Sequence, residues 1–291
     1  MIKEFEKWLN EKGYRLNTVR GFVIETELFF KWCATQSLQP QAVRYTDVLA
    51  YTNNCQAKGN ASHTINQKLN ALRHFYNCCI HQEYRKDNPV AELRIRNTIR
   101  KLPHDILSKE ALGNIYKKYA ATGIAGKRNK AMLGLLIYQG ITTAELARLE
   151  VTDVKLEEGK VYVPSAARSN SRILSLEAGQ MIQLQNYLMT VRPVLLALSE
   201  KQTEKLFLST GKSKRLSNSY TRMLKQMQKA DASVKDLKQI RASVITHWLK
   251  QQSIRQVQYM TGHRYVSSTE RYRTDKLETL QEQLEKLHPL Q

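Results

Sequence analysis

Apolar residues recur at helical spacing through the first third of the chain. Ile2, Phe5, Trp8 and Leu9 predict an amphipathic helix that stops at Gly13. Val19, Phe22, Val23, Leu28, Phe29 and Trp32 mark a second helix, opened at Asn17-Thr18. Val48, Leu49 and Tyr51 mark a third, capped by Thr46-Asp47. A fourth starts at Ser62 or Thr64 and turns Ile65, Leu69, Leu72, Phe75, Tyr76 and Ile80 inward. Pro89 disfavours helix at Asn88, so Asp87-Asn88-Pro89 closes a helical bundle whose aromatic residues form its core.

The pattern changes twice further along. Ser108 has the character of an N-cap, and an apolar helix follows from Asn129 to Ile137, broken at Gln139-Gly140. Thr143 to Leu149 adds another helical turn or two. The period then falls to two in Val151 to Leu156, Lys160 to Pro164 and Arg172 to Leu176, which predict three strands. Glu158-Gly159 joins the first pair, and the polar loop Ser165 to Ser171 joins the second. Helical spacing returns in residues 178–198, 217–230, 234–251 and 254–260, and in a polar tail over 274–287 with Leu277, Leu280, Leu284 and Leu287 as its stripe. The expected fold is therefore mainly α with a small antiparallel sheet (α+β). The expected divisions are a helical domain over 1–89, a linker over 90–104 and a second domain over 105–291.

Charge narrows the class of partner. The formal net charge is +20, with sixteen Lys/Arg against nine Asp/Glu up to residue 104 and thirty against seventeen beyond it. An excess spread over both parts suits two lobes that face one polyanion, and nucleic acid leads that class. Arg94, Arg96, Arg100 and Lys101 make the linker a basic strap suited to a phosphate backbone. Lys212, Lys214 and Arg215, with Arg222 and Lys225, form a second basic cluster. The four cysteines, Cys33, Cys55, Cys78 and Cys79, lack metal-ligand spacing and point to a reducing, cytoplasmic compartment, with one of the adjacent pair packed inward. The N-terminus carries acids and no apolar signal segment, and no apolar run reaches the ~18 residues of a membrane span.

The candidate chemistry lies late in the chain. Met260-Thr261-Gly262-His263 sets an imidazole nine residues before the phenol of Tyr272, after a helix-like run. This segment resembles the C-terminal box of the tyrosine recombinases, the phage-type integrases and Xer-like enzymes. The first third resembles their SAM-like core-binding domain in the order of Phe5, Trp8-Leu9, Asn17-Thr18, Phe29, Trp32, Leu69, Leu72, Phe75 and Asn88-Pro89. The resemblance covers nearly the whole chain. It implies a catalytic-type C-terminal domain, two domains that close around duplex DNA as a clamp, and DNA strand exchange through a 3′-phosphotyrosine intermediate. That chemistry conserves the phosphodiester energy in the tyrosyl link, so it implies no metal or nucleotide cofactor. In such enzymes two arginines and a His or Trp stabilise the charged transition state, and a lysine protonates the leaving oxygen.

Carried over residue by residue, Tyr272 takes the nucleophile position and His263 the His/Trp position. Arg241 takes that of the second arginine, with Lys238 where the family's box has His. Lys238 and Arg241 are three apart and share a helical face. The first arginine falls on Thr142, in the run Gly140-Ile141-Thr142-Thr143-Ala144-Glu145-Leu146. The hairpin that should hold the lysine offers only Arg168 as the nearest cation, a poor proton donor. Arg148 and Arg172 read as structural ion-pair residues, and His247 as packing. Three readings stay open: a recombinase with a rearranged phosphate clamp, a DNA-binding relative acting as accessory subunit or regulator at a recombination site, or an architectural resemblance with a different function. The resemblance also implies assembly on DNA, up to a tetramer, with the 274–287 tail as a contact between subunits. No arm-binding domain precedes the bundle, which favours a simple core site.

Overall fold

The computed structural model of the chain describes residues 1–95, 105–167, 169–199, 202–211 and 215–273. They divide between two compact units, Met1–Arg100 and Lys101–Gln291.

The N-terminal unit is built from α1 (Ile2–Glu11), α2 (Leu16–Thr35), α3 (Tyr45–Ala57) and α4 (Ser62–His81). Helix α4 packs against each of the other three, so it is apolar around a wide arc. That arc explains why Cys78 and Cys79 are both buried, where the sequence suggested only one. Burial pushes the thiols of Cys33, Cys78 and Cys79 up to about 11, which keeps them protonated and inert. Phe5 meets Phe75 edge-on at 5.6 Å and Phe29 meets Tyr51 at 4.9 Å, tying α1 to α4 and α2 to α3. Two residues expected inward lie outside: Leu28 and Ile80 are 44% and 37% exposed. Thr26, Phe29 and Cys33 hold the inward face of α2 instead, and Thr26 satisfies its hydroxyl on Phe22 O. Helix α3 is not capped by its predicted Thr-Asp pair. Asp47 reaches back from the first turn to accept the Arg44 N–H at 2.7 Å.

The strap does not begin where composition placed it. Residues through Ile95 dock on α4: Asn66 exchanges two hydrogen bonds with the Ile95 backbone, and Arg73 donates to Ala91 O and Leu93 O. Val90 is fully buried in the bundle core. Backbone polar groups answered by α4 side chains override the linker-like composition.

The second unit is arranged around α6 (Gly123–Tyr138), buried almost all round and packed by α5 (Lys109–Lys118), α8 (Ala178–Asn186), α10 (Ser217–Ala230) and α11 (Leu237–Gln251). Ser108 caps α5 as expected, accepting from Ala111 N at 3.0 Å. His247 has the packing role read from sequence, with Nε2 at 2.7 Å from Leu107 O. A short helix, α7 (Thr143–Leu146), precedes an antiparallel sheet of β1 (Val154–Lys155), β2 (Lys160–Val163) and β3 (Arg172–Ser175), in the order β1-β2-β3. The register pairs Val161 with Leu174 and Val163 with Arg172, all four buried. The first predicted strand shrinks to two residues, because Asp153 accepts the Glu150 N–H and winds Val151–Asp153 into a 3-10 turn. The predicted long helix over 178–198 passes through a π turn at Tyr187–Val191 before α9 (Arg192–Ser199). Pro193 is the second residue of α9, and its missing N–H cannot bond back to Met189 in an α ladder. The chain then reaches α12 (Ile254–Thr261) and α13 (Val266–Glu270), while the 274–287 tail lies outside the described residues.

Candidate active site

The end of α12 places the imidazole. Ser253 and Gln256 form a capping box at its start, and Gly262 ends it in the left-handed region at φ 73°. The Gly262 and His263 N–H groups close onto Tyr259 O and Gln258 O at 2.9 and 3.1 Å. This turn swings His263 off the α12 axis, and α13 then carries the chain back to Tyr272. The two rings stack, with centroids 6.0 Å apart and planes 13° from parallel. His263 Nδ1 lies 2.9 Å from the hydroxyl of the buried Thr269, and among the described residues Nε2 has no hydrogen-bond partner.

Arg241 projects from α11 to the same turn. Its guanidinium donates to Gly140 O and, at 2.9 Å, to Thr261 O, and it lies 3.8 Å from Glu145. The β2–β3 connection meets the turn from the other side: Asn170 N donates to Gly262 O at 2.8 Å, and Ser169 bridges to His263.

Thr142, at the first-arginine position, serves as the N-cap of α7. It accepts the Glu145 N–H at 3.1 Å, while Glu145 accepts from both Thr142 N and Thr142 Oγ1 at 2.9 Å. The Glu145 carboxylate is buried and also receives Arg172, through Nη1 at 2.8 Å and Nη2 at 3.2 Å. Burial alone would raise its pKa. The Arg172 hydrogen bonds and charge, the Thr142 N–H and the Arg241 charge prevail and hold it at about 2. His263 moves down as well, to about 4, first because it is buried and then because Arg241, Arg172 and Arg271 surround it. The ring is therefore neutral near pH 7.

The tertiary structure thus brings Tyr272, His263 and Arg241 together. Lys238 is exposed on the first turn of α11, and among the described residues it makes no hydrogen bond or ion pair. Arg168, Lys212, Lys214, Arg96, Arg100 and Lys101 lie outside the described residues. Arg94 is exposed and, with Arg73, Asn66 and Asn70, borders a groove between α2 and α4. Arg215 is exposed just ahead of α10. Among the described residues Arg148 forms no ion pair of the kind expected; its Nε donates to Ala144 O at 3.2 Å. Sequence reasoning passed over Glu145 and Thr269 as site residues and took Arg172 only as a structural partner. One signal was legible for Arg172, because it shares the inward register of β3 with Leu174. A charged side chain at a core position needs a buried partner.

The chain matches the phage integrase family over residues 106–278 and the phage integrase N-terminal SAM-like domain over residues 2–83. Among curated relatives, it is 27% identical over 294 residues to a tyrosine recombinase XerC of Oceanobacillus iheyensis, covering 99% of this chain and 95% of that one. It is 26% identical over 283 residues to a tyrosine recombinase XerD of Proteus mirabilis, covering 95% and 89%. Among solved structures, it is similar to XerH site-specific recombinase bound to a palindromic difH substrate in a post-cleavage complex, with a TM-score of 0.76, 16% identity and coverage of 97% and 84%. It is also similar to the Tn1549 transposon integrase in complex with transposon right end DNA, with a TM-score of 0.70, 14% identity and coverage of 98% of each chain. At those identities the structural likeness concerns the fold alone. The family match spans more than half of the sequence, and with it this chain belongs to the phage integrase family.

Proposed function

We infer that this chain is a site-specific DNA recombinase that cleaves and rejoins duplex DNA through a phosphotyrosine link at Tyr272. The observation that carries this is the stacking of Tyr272 on His263 beside Arg241, at the end of a family-matched domain. The curated relatives named tyrosine recombinases support it.

In the step envisaged, the Tyr272 Oη attacks the scissile phosphorus and loses its proton. The bond to the 5′-oxygen breaks, that oxygen takes up a proton, and the 3′-phosphate stays on the tyrosine. Attack by a 5′-hydroxyl reverses the sequence and joins strands. Arg241 is the guanidinium for the non-bridging oxygens, at the cost of loosening its carbonyl contacts. Burial and the arginine charges keep His263 neutral before DNA binds, and a bound phosphate offsets those charges. With Thr269 donating to Nδ1, Nε2 carries a proton and donates it to the phosphate. Lys238 serves as a flexible cation at the edge of the site.

Duplex DNA is the partner in this reading. Arg94 beside the α2–α4 groove and Arg215 ahead of α10 face its backbone. Arg96, Arg100, Lys101, Arg168, Lys212 and Lys214 join them by sequence position. Assembly proceeds on DNA up to a tetramer, in the cytoplasm.

Covalent trapping tests the reading. Incubation with nicked or phosphorothiolate duplexes from the chain's own genomic flanks should give a denaturant-stable adduct, which Tyr272→Phe abolishes while still binding DNA. Salt-sensitive binding with no adduct would instead favour a regulator or accessory subunit.

A further inference from the structure

Three successive carbonyls carry the turn that delivers His263, and each has a different donor. Met260 O accepts from Arg172 Nε at 2.8 Å, Thr261 O from Arg241 Nη2 at 2.9 Å and Gly262 O from Asn170 N at 2.8 Å. Arg172 lies directly under this turn. A Cβ on Gly262 would sit 2.4 Å from Arg172 Nη1 and 3.0 Å from its Cζ. On its other side, Arg172 makes a two-pronged pair with Glu145, the carboxylate that also faces Arg241.

The charge count separates this cluster from an ordinary ion pair. Arg172 and Arg241 supply two positive charges, and Glu145 supplies one negative charge between them. One positive charge is left over, held in a region of low polarisability where charges act strongly. It lies against the turn that bears His263. The position where a phosphate-binding arginine was expected holds Thr142, which spends its hydrogen bonds on Glu145 and α7. The Arg172 side chain is 0% exposed, so it reaches the reaction through its neighbours and its field rather than by touching DNA.

We propose that Arg172 is a positioning residue for strand cleavage. It supplies from beneath the site the second positive charge that Thr142 lacks, and it holds both the His263 turn and Glu145 in register with Arg241. This inference rests on the recombinase reading above.

The test compares the full-length parent with Arg172→Met and with Arg172→Lys. Methionine removes the guanidinium, so Glu145 then cancels Arg241 and the surplus positive charge is gone. Lysine keeps the charge but loses the planar fork, and it keeps the comparison open if the methionine variant fails to fold around its less fully paired carboxylate. Each protein is given two trapping substrates, one with a normal scissile phosphate and one with a methylphosphonate there, which lacks the negative charge. Adduct formation on the phosphate should fall by about 10² to 10³ in Arg172→Met and by about tenfold in Arg172→Lys, with duplex binding retained. On the neutral methylphosphonate the methionine variant's deficit should shrink to within about tenfold, because less charge needs stabilising. An equal deficit of Arg172→Met on both substrates would show a merely structural role and overturn the proposal, as would parental rates on the phosphate in either variant. A parent with no Tyr272-dependent adduct on DNA it binds would sink the recombinase reading, and this inference with it.

Discussion

Gly262 shows how much of the site turns on one residue. Its φ of 73° excludes an unstrained side chain, and the space a Cβ needs is taken by Arg172. Gly262→Ala should therefore lower stability by roughly 1–3 kcal/mol in urea denaturation, from backbone strain and a displaced guanidinium together. A change within a few tenths would show that the turn is looser than its contacts imply. His263 gives a pH signature at the same scale. Its pKa falls from 6.5 to about 4 on folding, so between those values the unfolded chain binds a proton that the folded one does not. Stability should drop as pH falls through that window. His263→Asn should flatten this part of the pH dependence, measured as denaturation midpoints at several pH values from 7 to 4. Parallel curves for parent and variant would refute the assignment. Glu145 has the same sign in a lower window: its contribution is present above 4.5 and lost as pH falls through about 2.

At the scale of elements, the helices were legible wherever the apolar spacing marked a single inward face. The inward set of α1 and the cap of α5 appear as spacing and residue type suggest. Most of the failures have a common cause. Leu28, Ile80 and the docked residues 90–95 all depend on what packs beside the element, whereas β1 is shortened by the local Asp153–Glu150 hydrogen bond. Helix α11 matters most for the site because it carries Arg241. It begins three residues later than its apolar pattern suggested, where Asp236 accepts the Gln239 N–H at 2.7 Å. Asp236→Ala should cost about 1 kcal/mol in equilibrium unfolding, the usual worth of an N-cap. An unchanged midpoint would mean that tertiary contacts alone hold this end.

At the scale of the whole molecule, the surplus of positive charge bears on DNA directly. Affinity for duplex DNA should fall steeply with salt, by about 10³ or more between 50 and 200 mM if six or more phosphates are contacted. A filter-binding or anisotropy series that stays flat with salt would count against backbone contact by this +20 chain. Both units carry the excess, so neutralising the 94–101 arginines and lysine should reduce the slope without abolishing it.

The sequence by itself determined the class of fold, the candidate nucleophile and its imidazole, because these lie in local patterns that spacing reveals. Tyr272 and His263 are nine residues apart, joined by one turn and one short helix. The environment of the candidate site was decided only in three dimensions. Arg172 meets Glu145 across 27 residues and Met260 across 88, and Arg241 meets Gly140 across 101. Composition could count these charges but not pair them, because pairing depends on which core positions the packed helices and the sheet bring within hydrogen-bond reach. The same packing leaves Lys238 in solvent, whereas the capping of α7 by Thr142 is a local pattern three residues long.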